Sequence, residues 1–111
     1  MLGISRLQAL ARGHEPVTEA QRQALEALVL RRMKREPLQY ILGETVFMGH
    51  LIKCRPPVLI ARNDTEALAQ QALHILKPGM RALDLCCGSG AIAVSLKAGC
   101  PQAEVAASDI S

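Results

Sequence analysis

The sequence predicts an α/β protein in three stretches: a helical segment over residues 1–43, a β-hairpin and linker over 44–62, and the first half of a nucleotide-binding unit over 63–111. Three observations predict it. Half of the 111 residues are hydrophobic but only 2% are aromatic, so the apolar material is Ala, Leu, Val and Ile, the usual filling of helices packed on parallel strands. In the stretch from Met80 to Ala93, Ala82, Leu83 and Leu85 form a short apolar run of the kind that is buried in a parallel sheet, a turn containing Gly88 and Gly90 follows, and helical composition resumes at Ala91. A second strand-like run, Glu104 to Ser108, ends beside Asp109.

Taken in order, Ile4, Leu7, Leu10 and Ala11 recur at helical spacing, and Gly13 stops that helix. Thr18 and Gln21 form a capping box, each side chain satisfying an amide left free at a helix start. The second helix runs to about Lys34, with Leu25, Leu28, Val29 and Met33 as its inner face, and Pro37 forces the residue before it out of helical geometry. Pro37 to Gly43 reads as a connector with Tyr40, Ile41 and Leu42 as buried anchors. Thr45 to Phe47 and Leu51 to Cys54 read as strands of a hairpin, separated by Met48, Gly49 and His50, with His50 as a surface residue at the tip. Pro56 and Pro57 remove two backbone donors, and Val58 to Ile60 runs extended. Asn63 and Glu66 suggest a further capping box, opening a helix whose apolar face is Leu68, Ala69, Ala72, Leu73 and Leu76. Lys77, Pro78 and Gly79 close it. The glycine turn and a helix from Ala91 to about Ala98 follow, then a break at Gly99 to Pro101 and the second strand.

The totals exclude several classes. No apolar run approaches the roughly 18 residues of a membrane span, and Met1 to Leu10 lacks the layout of a signal peptide. Cys54, Cys86, Cys87 and Cys100 form neither a Cys-x-x-Cys pair nor a zinc-type cluster with His14, His50 or His74, so no metal site is expected. Free thiols suit a reducing compartment, and the expected location is cytoplasmic. The formal charge of +3 is uneven: ten Lys and Arg face five acids through Arg62, a net +5, and three face five beyond it, a net −2. The cluster Arg31, Arg32, Lys34 and Arg35 has no interleaved aromatics for base stacking, which argues for a solvated face over direct nucleic-acid binding.

Strand, glycine turn, helix, strand and acid place two carboxylates, Asp84 and Asp109, at the ends of adjacent strands, the usual ligand crevice of a parallel sheet. Gly88 to Ala93 fits the short dinucleotide fingerprint, and Asp109 follows Gly90 by nineteen positions, near the spacing of about 20 at which an acid meets ribose hydroxyls. Asp84 decides between ligands by sign. A carboxylate there repels a pyrophosphate and favours the amino and sulfonium cations of S-adenosylmethionine.

The stretch from Leu83 to Ala93, Leu-Asp-Leu-Cys-Cys-Gly-Ser-Gly-Ala-Ile-Ala, resembles the S-adenosylmethionine motif of class I methyltransferases. Glu36 to Gly43, Glu-Pro-Leu-Gln-Tyr-Ile-Leu-Gly, then Phe47 with Gly49, Val58 to Ile60 and Arg62 to Glu66, are similar to the peptide chain release factor glutamine methyltransferases. The resemblance implies a helical substrate-docking segment, a hairpin linker and a Rossmann-like donor-binding domain. It implies S-adenosylmethionine as cofactor, a peptide chain release factor as protein partner, and methyl transfer to the glutamine side-chain amide of that factor's Gly-Gly-Gln motif. By the same likeness Asp84, Cys86, Gly88, Ser89 and Gly90 line the donor, Asp109 holds its ribose, and Arg62, Thr65 and Glu66 form a loop beside the site.

The chain departs from the family pattern in three places. Ala61 to Glu66 lacks the two prolines of the common Pro-Arg-Pro-Glu-Thr-Glu loop, and Cys86 stands where the pattern has glycine, which a small thiol tolerates if φ is negative there. The family's Asn-Pro-Pro-Tyr motif does not occur. No catalytic residue is therefore expected among these residues, and the chain is expected to be a truncated form without turnover of its own. Two alternatives remain open: methylation of a ribosomal protein or another glutamine substrate, and a non-enzymatic module that binds a partner.

Overall fold

The computed structural model of the protein describes residues 6–110; Ile4, expected in the first helix, lies outside them. The chain divides into two compact units, Met1–Ile41 and Leu42–Ser111. In the first, α1 spans Arg6–Ala11 and α2 spans Glu19–Met33, and the short helix α3, Leu38–Leu42, begins here. The Thr18 capping box is present: the Gln21 amide donates to Thr18 Oγ1 at 3.2 Å, and the Thr18 amide donates to Gln21 Oε1 at 2.9 Å. Arg31 donates to both carboxylate oxygens of Glu36, at 2.8 and 2.5 Å, and Arg22 pairs with Glu19 and Glu26.

Two expectations fail in this unit. The inner face assigned to α2 is largely open, with Leu25, Val29 and Met33 exposed and only Leu28 half-buried. The connector after Pro37 is also helical: the amides of Tyr40 and Ile41 donate to the Pro37 carbonyl, starting α3. A single helical turn presents one face inward, so Ile41 is buried, Tyr40 half-buried and Leu42 exposed.

The second unit mixes helix and strand. β1 (Glu44–Phe47) pairs antiparallel with β2 (His50–Lys53) in the register Glu44↔Lys53 to Phe47↔His50. The turn between them has two residues, Met48 at φ 47° and Gly49 at φ 79°. Two positive φ values make the primed turn whose twist matches a hairpin. His50 is thus the first residue of β2 and half-buried, not the tip. Phe47 and Ile52 point to the buried face, while Val46 and Leu51 point outward.

Helix α4 (Asn63–Ile75), strand β3 (Arg81–Leu85), helix α5 (Ala91–Gly99) and strand β4 (Glu104–Ser108) complete the unit, and β3 pairs parallel with β4 through the α5 crossover. α5 packs on α4, β3 and β4. Gly99 permits the close approach to α4, since a Cβ there would lie 2.6 Å from Leu73 Cδ2. The core gathers Phe47 and Ile52 of the hairpin, Ala69 of α4 and Ala91 of α5, with Met48, Ala61 and Ile92 packed against them. β3 reverses the expected burial: Leu83 and Leu85 are exposed at 60% and 67%, and Asp84 between them is buried at 9%. Strand side chains alternate between faces, and α5 covers only the face that carries Ala82, Asp84 and Val105.

Candidate functional site

The turn between β3 and α5 takes its shape from backbone that few side chains tolerate. Cys86, Gly88 and Gly90 all have positive φ, at 58°, 53° and 73°. The condition under which cysteine would be an easy substitute for glycine is therefore not met, and Cys86 sits in the left-handed region with its side chain exposed. The Gly90 amide donates to the Cys87 carbonyl at 2.8 Å, and the Cys87 amide donates to the Ser108 carbonyl at 3.1 Å, tying the turn to the end of β4.

Both carboxylates converge on this turn. The Ala93 amide, in the first turn of α5, donates to Asp84 Oδ2 at 3.1 Å, and the Gly88 amide donates to Asp109 Oδ2 at 2.7 Å. Helix starts leave amides without intrahelical partners. Asp84 occupies one of those in α5, and its negative charge lies at the positive end of the helix dipole. A phosphate seeking that amide meets a carboxylate already there. The turn is open at Gly90, where a Cβ would meet nothing within 4 Å, and Ser89 is half-buried beside it in sequence.

The loop of Arg62, Thr65 and Glu66 is organised differently from the sequence expectation. Arg62 is the N-cap residue of α4 without a side-chain capping bond, its carbonyl accepts from the Thr65 amide at 2.9 Å, and Asn63 lies inside the helix. No capping box forms, because Glu66 is engaged elsewhere: its Oε1 accepts from the Met48 amide at 2.7 Å, eighteen residues away in the hairpin turn. Arg62 is exposed, while Thr65 and Glu66 are half-buried.

Val58 is a neighbour of the turn that was not expected among the site residues. A Cβ at Gly88 would lie 3.4 Å from Val58 Cγ1; Val58, expected to start an extended run, instead closes a turn through Pro56 and Pro57, its amide donating to the Arg55 carbonyl at 3.0 Å, and that segment lies alongside the glycine turn. Its sequence signals are the family resemblance of Val58 to Ile60 and the double proline, which ends the hairpin and redirects the chain. Cys54, where that segment leaves β2, is buried, and burial, then Glu44, pushes its thiol above the ordinary cysteine range. It is a core side chain and a poor nucleophile. Among the described residues no group of three or more His, Cys, Asp or Glu side chains could hold a metal ion, and no helix is long and apolar enough to cross a membrane.

Comparison with known proteins bears on the whole length. Residues 1–43 match the family model described as the PrmC N-terminal domain. The chain is 50% identical over 113 residues to the release factor glutamine methyltransferase of Bordetella pertussis, covering all of this chain and 42% of that protein. It is 39% identical over 109 residues to the protein of that name from Thermodesulfovibrio yellowstonii, covering 95% of this chain and 39% of the relative. It is 43% identical over 107 residues to the protein of that name from Neisseria gonorrhoeae, covering 96% and 39%. The chain thus spans about two fifths of the length of the curated relatives it matches. The chain is thus similar along its whole length to proteins named release factor glutamine methyltransferase, and over residues 1–43 to the PrmC N-terminal domain.

Proposed function

We propose that residues 63–111 form the donor-binding start of a Rossmann-like methyltransferase domain, and that the parent activity is methyl transfer from S-adenosylmethionine to the glutamine amide of a release factor's Gly-Gly-Gln motif. The bond between Asp84 and the Ala93 amide carries this reading. It fills with a carboxylate the helix-start position that a dinucleotide's pyrophosphate would use, and so sets the sign of the site for a cationic donor.

The residues present fit such a donor. Asp84 and Asp109 supply negative charge on either side of a turn that is open at Gly90. We assign Asp84, Cys86, Gly88, Ser89 and Gly90 to the methionine portion and Asp109 to the ribose hydroxyls. When bound, S-adenosylmethionine supplies an electrophilic methyl group. The share of the work given to these residues is donor capture and orientation, since much of methyl transfer is holding the donor carbon and acceptor nitrogen in line. Residues 1–43 are assigned to docking the release factor and 44–62 to the hairpin that follows them. The names of the relatives support the substrate assignment.

Titration calorimetry of this chain with S-adenosylmethionine, and separately with a release factor, tests the proposal. Saturable heat with the methyl donor is expected, and its reduction by at least tenfold in Asp109→Ala. Binding of the factor without any binding of the donor would overturn the donor site and leave a partner-binding module.

A further inference from the structure

We propose that Glu66 is a positioning residue for the glycine turn, and that the β-hairpin it fastens is the floor of the donor site. The inference rests on the donor reading for its binding test alone. The hairpin contributes Phe47 and Ile52 to the same buried cluster as Ala91, the residue immediately after Gly90. Ala69 of α4 completes the cluster at 0% exposure, and Ile92 packs against it. The start of α5, and with it one end of the glycine turn, is therefore set down on the hairpin's inner face.

The turn's other neighbour comes from the same source. β2 runs into Cys54, whose amide donates to the Gly43 carbonyl at 3.0 Å, and the chain then passes through Arg55, Pro56 and Pro57 to bring Val58 against Gly88. One two-stranded ribbon thus supports the turn from beneath and leads into the segment beside it. An isolated hairpin is marginal in water, and this one needs a fastener.

Glu66 meets that need. Met48 has φ 47°, and its amide lies in the two-residue turn, outside the β1–β2 ladder. It donates to Glu66 Oε1 at 2.7 Å, a charge-assisted bond between the hairpin turn and the first turns of α4. Met48 and Ala61, close in sequence to the two ends of this link, both pack on the core cluster. Family likeness places Glu66 beside the ligand; the geometry gives its carboxylate a backbone partner in the hairpin.

Calorimetry of the 111-residue chain with S-adenosylmethionine, using Glu66→Ala and Glu66→Gln, tests this role alongside amide exchange measured by nitrogen-resolved NMR. Glutamine keeps an acceptor oxygen and loses the charge. Affinity should fall roughly three- to tenfold in Glu66→Ala, the scale of one lost hydrogen bond, and return to within about twofold in Glu66→Gln. The Met48 amide should exchange faster in the alanine variant, and the Gly88 and Gly90 amide resonances should shift. Equal loss in both variants would make Glu66 act by charge and overturn the proposal, as would unchanged affinity in alanine. If the unsubstituted chain binds no donor, the donor reading fails by itself; the positioning role then stands if Glu66→Ala moves the Gly88 and Gly90 resonances while thermal unfolding remains cooperative, and falls if they stay in place.

Discussion

Cys86 shows at the scale of one residue what the turn demands. Its φ of 58° is a left-handed conformation that costs an L-residue with a side chain roughly 1–2 kcal/mol. The two residues that follow offer no relief, since the Cys87 amide is held by the Ser108 carbonyl and the Gly88 amide by Asp109. Cys86→Gly should therefore stabilise the chain by about 1 kcal/mol, less the added freedom of glycine in the unfolded state. Urea denaturation would show this as a raised midpoint at constant slope; an unchanged or lowered midpoint would mean that the thiol makes compensating contacts. That glycine is the pattern residue here was legible in the sequence, but the φ value was not, because a backbone angle is set by the ties on both sides of it. The same holds for Asp84 and Asp109: their presence at the strand ends was legible, and the amides they accept from were not.

At the scale of elements, the legible features were those with local causes. The Thr18 capping box needs only residues three apart, and it is formed as expected. Glu66 has the same local pattern with Asn63 but chooses Met48, a tertiary partner that no local rule can name. The hairpin was legible from Gly49, yet its register depended on a second positive φ at Met48, a residue type that rarely adopts one. In β3 an apolar run was visible, but which face is covered depends on the layers packed around it. α2 offers a test of its own. Arg31 holds the Glu36 carboxyl below the ordinary glutamate range, and Arg22, then Gln23, does the same for Glu19. A depressed folded value gives stability that is present at neutral pH and is lost as pH falls through that value. Circular dichroism should therefore show helicity falling on acidification below the glutamate range, with high salt at neutral pH producing a smaller loss in the same direction. Helicity that is flat or rising with acid would contradict this role for the pairs.

For the whole molecule, the chain comprises two compact units, each with its own order of elements, and is similar along its length to proteins named release factor glutamine methyltransferase. The α/β character was legible because composition, glycine placement and strand spacing agree. The core at Phe47, Ile52, Ala69 and Ala91 was less so, because it joins a hairpin, a helix and a turn that are distant in sequence. Asp84 accepts from the Ala93 amide and Asp109 from the Gly88 amide, so carboxylates hold the glycine turn, and the proposed cationic methyl donor rests on that sign. The most direct measurement follows the Gly88 and Gly90 amide resonances while S-adenosylmethionine or NAD is added at equal concentrations. Saturable shifts with S-adenosylmethionine and none with NAD are predicted; shifts with NAD alone, or with neither, would contradict it.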